Sequence, residues 1–113
     1  MKKRILTVGE VRIDLYMPIS ELPRSPKAPI IAQSCSFVPS GSAANAATTI
    51  ARLGAESVLC AKVGRDRNGT VLPKIYDYEG IDTRFIAQDR SVPTGLASIL
   101  VEEDGANRII VYP

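Results

Sequence analysis

The sequence predicts an α/β protein built on a parallel sheet, with a second, smaller group of strands beside it. Two observations carry the parallel sheet. An apolar run at Ile5 to Val8, an amphipathic helix within Pro39 to Gly54 and another apolar run at Val58 to Val63 follow in order, the pattern of a βαβ unit. A second helical pattern from Asp66 to Glu79 and a short β run at Arg84 to Ala87 continue the alternation. The third observation is that segments at about 11–38 and 94–112 carry β patterns of their own. Excursions of that size read as a flap over the edge of the main sheet.

Taken in order, Ile5 to Val8 is continuous and apolar and stops at Gly9, which reads as a buried strand. Val11 to Tyr16 alternates, with Val11, Ile13 and Leu15 toward one side and Arg12, Asp14 and Tyr16 toward the other. Arg12 and Asp14 therefore share a face. A solvated charge pair explains them as well as a wall of a site does. Pro18, Pro23, Pro26 and Pro29 exclude a continuous helix between Met17 and Ile30, and Ile31 to Val38 reads as the returning strand.

Within Pro39 to Gly54 the alanines, Ile50 and Leu53 fall on one half of a helical circumference, opposite Asn45, Thr48, Thr49 and Arg52. An alanine face lets a helix lie close on a sheet. Ser40, Gly41 and Ser42 supply the entry, glycine for the turn and serine for the cap. The N–H groups and dipole at that end can hold hydroxyls or anions, and Asn45 in the first turn leans back toward the same corner. An ordinary cap is the simpler account of these residues taken alone. Neither G-x-G-x-x-G nor G-x-x-x-x-G-K-[ST] occurs.

Gly54 is placed to end this helix, and Gly64 ends the strand at Val58 to Val63. In Asp66 to Glu79, Val71, Leu72, Ile75 and Tyr76 have helical spacing; Pro73 is expected near the first turn, since further in it would kink the helix. Thr94 to Glu102 and Asn107 to Tyr112 form a hairpin across Asp104-Gly105.

Composition narrows the function classes. A net charge of +2 and 5% aromatic residues give no footing for nucleic acid. No run approaches the roughly 18 apolar residues of a membrane span. The apolar run after Met1-Lys2-Lys3-Arg4 stops at Gly9-Glu10, so no secretory segment is expected, and Cys35 and Cys60 read as reduced thiols of a cytoplasmic protein. The absence of histidine removes His-activated nucleophiles and His-ligated metals from this chain.

The set Val8-Gly9-Glu10 with Ile13-Asp14, Ser40-Gly41-Ser42-Ala43-Ala44-Asn45, Ala51-Arg52-Leu53-Gly54-Ala55, Val63-Gly64-Arg65-Asp66 to Gly69, Gly80-Ile81-Asp82-Thr83 and Thr94-Gly95-Leu96-Ala97 resembles, in this order, the N-terminal part of the ribokinase-like (PfkB) carbohydrate kinases. The resemblance covers essentially the whole chain. It implies a partial ribokinase-like three-layer α/β sandwich with a small β-sheet lid formed by 11–38 and 94–112, and a sugar held between lid and core.

Residue by residue, it implies that Asp14 accepts hydrogen bonds from sugar hydroxyls, that Gly41 admits the sugar close to the backbone, and that Ser42 and Asn45 contact it. Arg12 stands where ribokinases have asparagine, and an arginine facing the pocket would suit a substrate with a carboxylate or phosphate. Ser40 replaces a common glycine, and Arg65 replaces an aspartate of the family's acidic pair. Leu96, Ile99 or Ile110 are candidates to line the sugar's apolar face. The Gly-Ala-Gly-Asp catalytic signature has no match, so no catalytic residue is expected here, and the chain reads as the first third of such a kinase, inactive alone. The implied reaction of the intact protein is phosphorylation of a sugar or nucleoside hydroxyl by ATP with Mg2+, and its lid implies a homodimer. The alternative is a non-catalytic sugar- or nucleoside-binding fragment. A Rossmann dinucleotide enzyme fails for want of a glycine-rich turn after Ile5 to Val8.

Overall fold

The computed structural model describes residues 1–26 and 28–113. In chain order the elements are β1 (Arg4–Val8), β2 (Arg12–Pro18), β3 (Ser36–Ser40), α1 (Ser42–Arg52), β4 (Glu56–Gly64), α2 (Arg67–Tyr78), β5 (Ile81–Asp89), β6 (Gly95–Val101) and β7 (Asn107–Tyr112). They form two sheets. The main one is parallel, in the order β1-β4-β5. The other runs β3-β2-β6-β7, antiparallel at both edges and parallel between β2 and β6. This second sheet projects from the first, which explains a radius of gyration of 16.3 Å where a compact chain of this length has about 13 Å.

Helix α1 forms where the alanine pattern placed it. Ala43, Ala44 and Ala47 are buried, and the close approach they allow lets the Ser57 hydroxyl on β4 donate to the Ala47 carbonyl at 2.8 Å. Leu53 does not join this face. The helix ends at Arg52 and the chain turns at Gly54 with φ +89°, leaving Leu53 81% exposed. Leu72 and Tyr76 of α2 enter the same core as Ala47, Leu59, Val63 and Ile81, so both helices cover one face of the main sheet.

The opposite face stays open, and β1 is not the buried strand its apolar run suggested. Leu6 is 59% and Phe85 53% exposed, and with Arg4, Val58 and Cys60 they line an apolar depression of about 350 Å³. A strand of a parallel sheet is apolar on both sides because both sides are to be covered. Here two helices cover only one.

Three further expectations are corrected. The returning strand is Ser36–Ser40, not Ile31 to Val38, because β2 pairs only along those five residues; Ile31 is 90% exposed. The strand read at Arg84 to Ala87 extends over Ile81–Asp89, since β4 is itself nine residues long and pairs along most of that length. Pro73 lies in the middle of α2, not in its first turn. Its missing N–H leaves the Gly69 carbonyl without an i+4 donor, and the Gln88 side-chain amide from β5 supplies one at 3.1 Å.

The two sheets are joined by a knot at the start of α2. Asp66 caps the helix, accepting from the Gly69 N–H at 2.8 Å, and also accepts from the Thr94 N–H at 2.7 Å and hydroxyl at 2.6 Å, where β6 begins. The Thr94 hydroxyl in turn accepts from the Gly64 N–H at 2.9 Å. Burial pushes the Asp66 carboxyl up, but these hydrogen bonds outweigh it and hold the group below its ordinary value of 3.8. Only glycine fits at 69, because a Cβ there would strike the Gly64 carbonyl.

Candidate functional site

The site forms where β2 leaves the core. Val11 and Ile13 are buried against Ala43 and its neighbours, so strand alternation turns Arg12 and Asp14 to the other side at the junction with the projecting sheet. Asp14 is only 8% exposed. Its Oδ1 accepts from Arg12 Nε at 2.7 Å, and Arg12 Nη1 donates to Glu10 Oε1 at 2.9 Å. Hydrogen bonding to Asp14, and then to Glu10, outweighs burial and raises the Arg12 guanidinium above its usual value. Asp14 Oδ2 has no protein partner among the described residues. No buried side-chain oxygen among them lacks a partner, so Oδ2 keeps an open side.

Gly41 precedes α1 with φ +111°, and a Cβ there would strike the Glu10 carbonyl. That carbonyl accepts from the Ala44 N–H at 3.4 Å. The requirement for glycine is thus met inside the chain, by the segment leading into β2. Among the described residues no side chain caps α1, contrary to the capping role given to serine. Ser40 is buried and its carbonyl accepts from the Tyr76 hydroxyl at 3.4 Å; burial, with the charge of Asp14 adding to it, pushes Tyr76 up to about 12. Ser42 opens the helix, exposed, its hydroxyl without a partner among the described residues.

Asn45 is exposed on the first turn of α1 and lines a groove of about 470 Å³ with Val38, Pro39, Thr48 and Tyr76. Val38 is also the register partner of Asp14, so Asp14 and Asn45 flank the same short strand. Arg12 and Asp14 are in direct contact, Gly41 reaches them through Glu10, and Ser42 stands apart at the helix entry. Ala97 pairs with Asp14 and Ile99 with Tyr16, which puts Ile99 on the Asp14 face. Leu96 packs on the core and Ile110, opposite Ser98, faces the reverse side.

Sequence reasoning named Glu10 and Thr94 only within motifs and Tyr76 only on the apolar face of α2, and gave none of them a place at this site. The spacing Glu10-x-Arg12-x-Asp14 carried a signal for the first, since strand period puts such residues on one side. Tyr76 and Thr94 gave none, because each reaches the junction only through the tertiary fold. Among the described residues no group of three or more His, Cys, Asp or Glu side chains can hold a metal ion, and no helix is long and apolar enough to cross a membrane.

Comparison with known proteins identifies the family and the fold. The model of the pfkB family carbohydrate kinases matches residues 2–113. A ribokinase of Mus musculus is 33% identical over 107 residues, covering 95% of this chain and 33% of the relative. A Dictyostelium discoideum ribokinase is 30% identical over 111 residues, covering 98% of this chain and 35% of the relative. The structure of Arabidopsis thaliana ribokinase complexed with ribose and ATP superposes with a TM-score of 0.86 at 26% identity, over 99% of this chain and 36% of that one. The chain spans about a third of the length of the relatives it matches. Its fold is that of ribokinase-like kinases, and with the family model matched over almost its whole length the chain belongs to the pfkB family of carbohydrate kinases.

Proposed function

We propose that the protein carrying this chain transfers the ATP γ-phosphoryl group to a hydroxyl of a sugar or nucleoside, and that residues 1–113 supply the sugar-binding corner and its lid. The observation that carries this reading is Asp14, a nearly buried carboxylate with one oxygen held by Arg12 and the other left open. Such an oxygen takes hydrogen bonds from vicinal hydroxyls. Asn45 has a side-chain amide without a partner among the described residues and in this reading donates and accepts at the same sugar, Ser42 adds a hydroxyl at the helix entry, and Gly41 keeps the α1 entry tight against the Glu10 segment.

The projecting sheet of β2, β3, β6 and β7 is the lid in this reading. It closes over bound sugar and excludes water, limiting hydrolysis of the phosphoryl donor. In this reading ATP, Mg2+ and the aspartate base belong to the two thirds of the relatives' length that this chain does not span. The reading includes a cytoplasmic homodimer paired through the lids. In support, Ile109, Ile110, Val111 and Tyr112 on the edge strand β7 are all exposed.

The test is sugar-dependent ADP release by the full-length protein that carries residues 1–113, against ribose, fructose and nucleosides. Asp14→Asn is expected to raise the sugar KM by roughly 10-fold or more, the loss of a charge-assisted hydrogen bond. Full-length protein that releases no ADP with any of them rejects the kinase reading, and saturable sugar binding without ADP release would replace it with a binding module.

A further inference from the structure

We infer that Arg12 is a positioning residue whose clamp between two carboxylates makes the corner select neutral sugars over anionic ones. The inference rests on the sugar-binding reading of Asp14 and reverses the substrate class that an unpaired arginine at this position would suit.

One guanidinium holds two acids. Nε is 2.7 Å from Asp14 Oδ1 and Nη1 is 2.9 Å from Glu10 Oε1, with 20% of the Arg12 side chain and 12% of the Asp14 side chain exposed. A planar fork bonded at two points leaves the arginine little freedom, and it fixes the Asp14 carboxylate through Oδ1 while Oδ2 stays open. The clamp is anchored at both ends. The Glu10 carbonyl is tied to α1 by the Ala44 N–H, and on β6 the Arg12 stem packs close over Gly95, where a Cβ would lie 3.1 Å from Arg12 Cβ, a tight contact.

Charge decides the specificity. Glu10 and Asp14 against Arg12 leave the cluster with a net charge of −1. The arginine that lines the adjoining groove, Arg52, is already paired with Glu79 at 2.7 Å. A sugar carboxylate or phosphate brought to the corner meets net negative charge and an acceptor at Oδ2, whereas a neutral polyol offers that oxygen the donors it lacks.

The experiment measures dissociation constants of the full chain for ribose and fructose and for the anionic counterparts ribonate and ribose 5-phosphate, in wild type, Glu10→Gln, Arg12→Met and Arg12→Lys. Glu10→Gln keeps an acceptor for Arg12 and removes one charge, so the anionic-to-neutral ratio is expected to fall by roughly 10-fold. Arg12→Met frees Asp14 and is expected to weaken neutral-sugar binding by about 10-fold or more, with Arg12→Lys recovering only part because an ammonium has no fork. A purely structural role would lower thermal stability and leave the ratio unmoved. Wild type that binds neutral sugars with a ratio unchanged in Glu10→Gln overturns this inference alone. Wild type that prefers the anionic counterparts overturns it too, and wild type that binds none of the four overturns the sugar-binding reading beneath it.

Discussion

Asp66 is the position where one side chain holds the two sheets together, and its removal has a calculable cost. Asp66→Ala deletes the N-cap of α2, worth about 1 kcal/mol. It also strands the buried Thr94 N–H, which now donates at 2.7 Å, and the Thr94 hydroxyl, which donates at 2.6 Å. An orphaned buried donor costs about 1–3 kcal/mol, and the hydroxyl can turn to another acceptor, so the sum is roughly 3 kcal/mol. Asp66→Asn is nearly isosteric, yet its NH2 group would face either the Thr94 N–H or the Thr94 hydroxyl donor. It is therefore expected to lose at least about half as much. Urea unfolding of the full chain, with wild type and both variants side by side, measures these differences. The carboxyl is held below its ordinary value of 3.8, so its contribution is complete above that pH and is lost as pH falls through the lowered value. The acid limb of the stability profile should flatten in Asp66→Asn. Both variants within about 0.5 kcal/mol of wild type, with an unchanged acid limb, would refute the reasoning.

Gly41→Ala combines a φ of +111° with a clash against the Glu10 carbonyl, and is expected to destabilise by about 2 kcal/mol or more on thermal unfolding. Gln88→Ala should cost about 1 kcal/mol in wild type and less in a Pro73→Ala background, where residue 73 regains the N–H that the Gly69 carbonyl needs; a double-mutant cycle without coupling would show that Gln88 does not serve that carbonyl. Tyr76 is held at about 12, above its unfolded value near 10, so stability should be full below the unfolded value and decline as pH rises toward 12. Tyr76→Phe should remove that decline, and an ultraviolet titration in which all tyrosines ionise together would count against it.

The order of strands and helices, the alanine face of α1 and the hairpin at Asp104-Gly105 were legible in the sequence, because each depends on periodicity or turn chemistry within a few residues of chain. Asp14, Gly41, Ser42 and Asn45 could be singled out for the same reason, with resemblance to a family supplying their roles. What the tertiary structure decided are the relations between distant segments. Pro73 sits inside a helix because Gln88, on the following strand, replaces its lost hydrogen bond. β1 is half exposed because burial depends on what covers a strand and not on its own residues. Gly41 is glycine because Glu10 lies against it. Arg12, which its sequence position left open to solvent or to an anionic ligand, is bound between Glu10 and Asp14: strand period puts the three on one side, and the folded structure turns both carboxylates onto its guanidinium, at 2.9 and 2.7 Å.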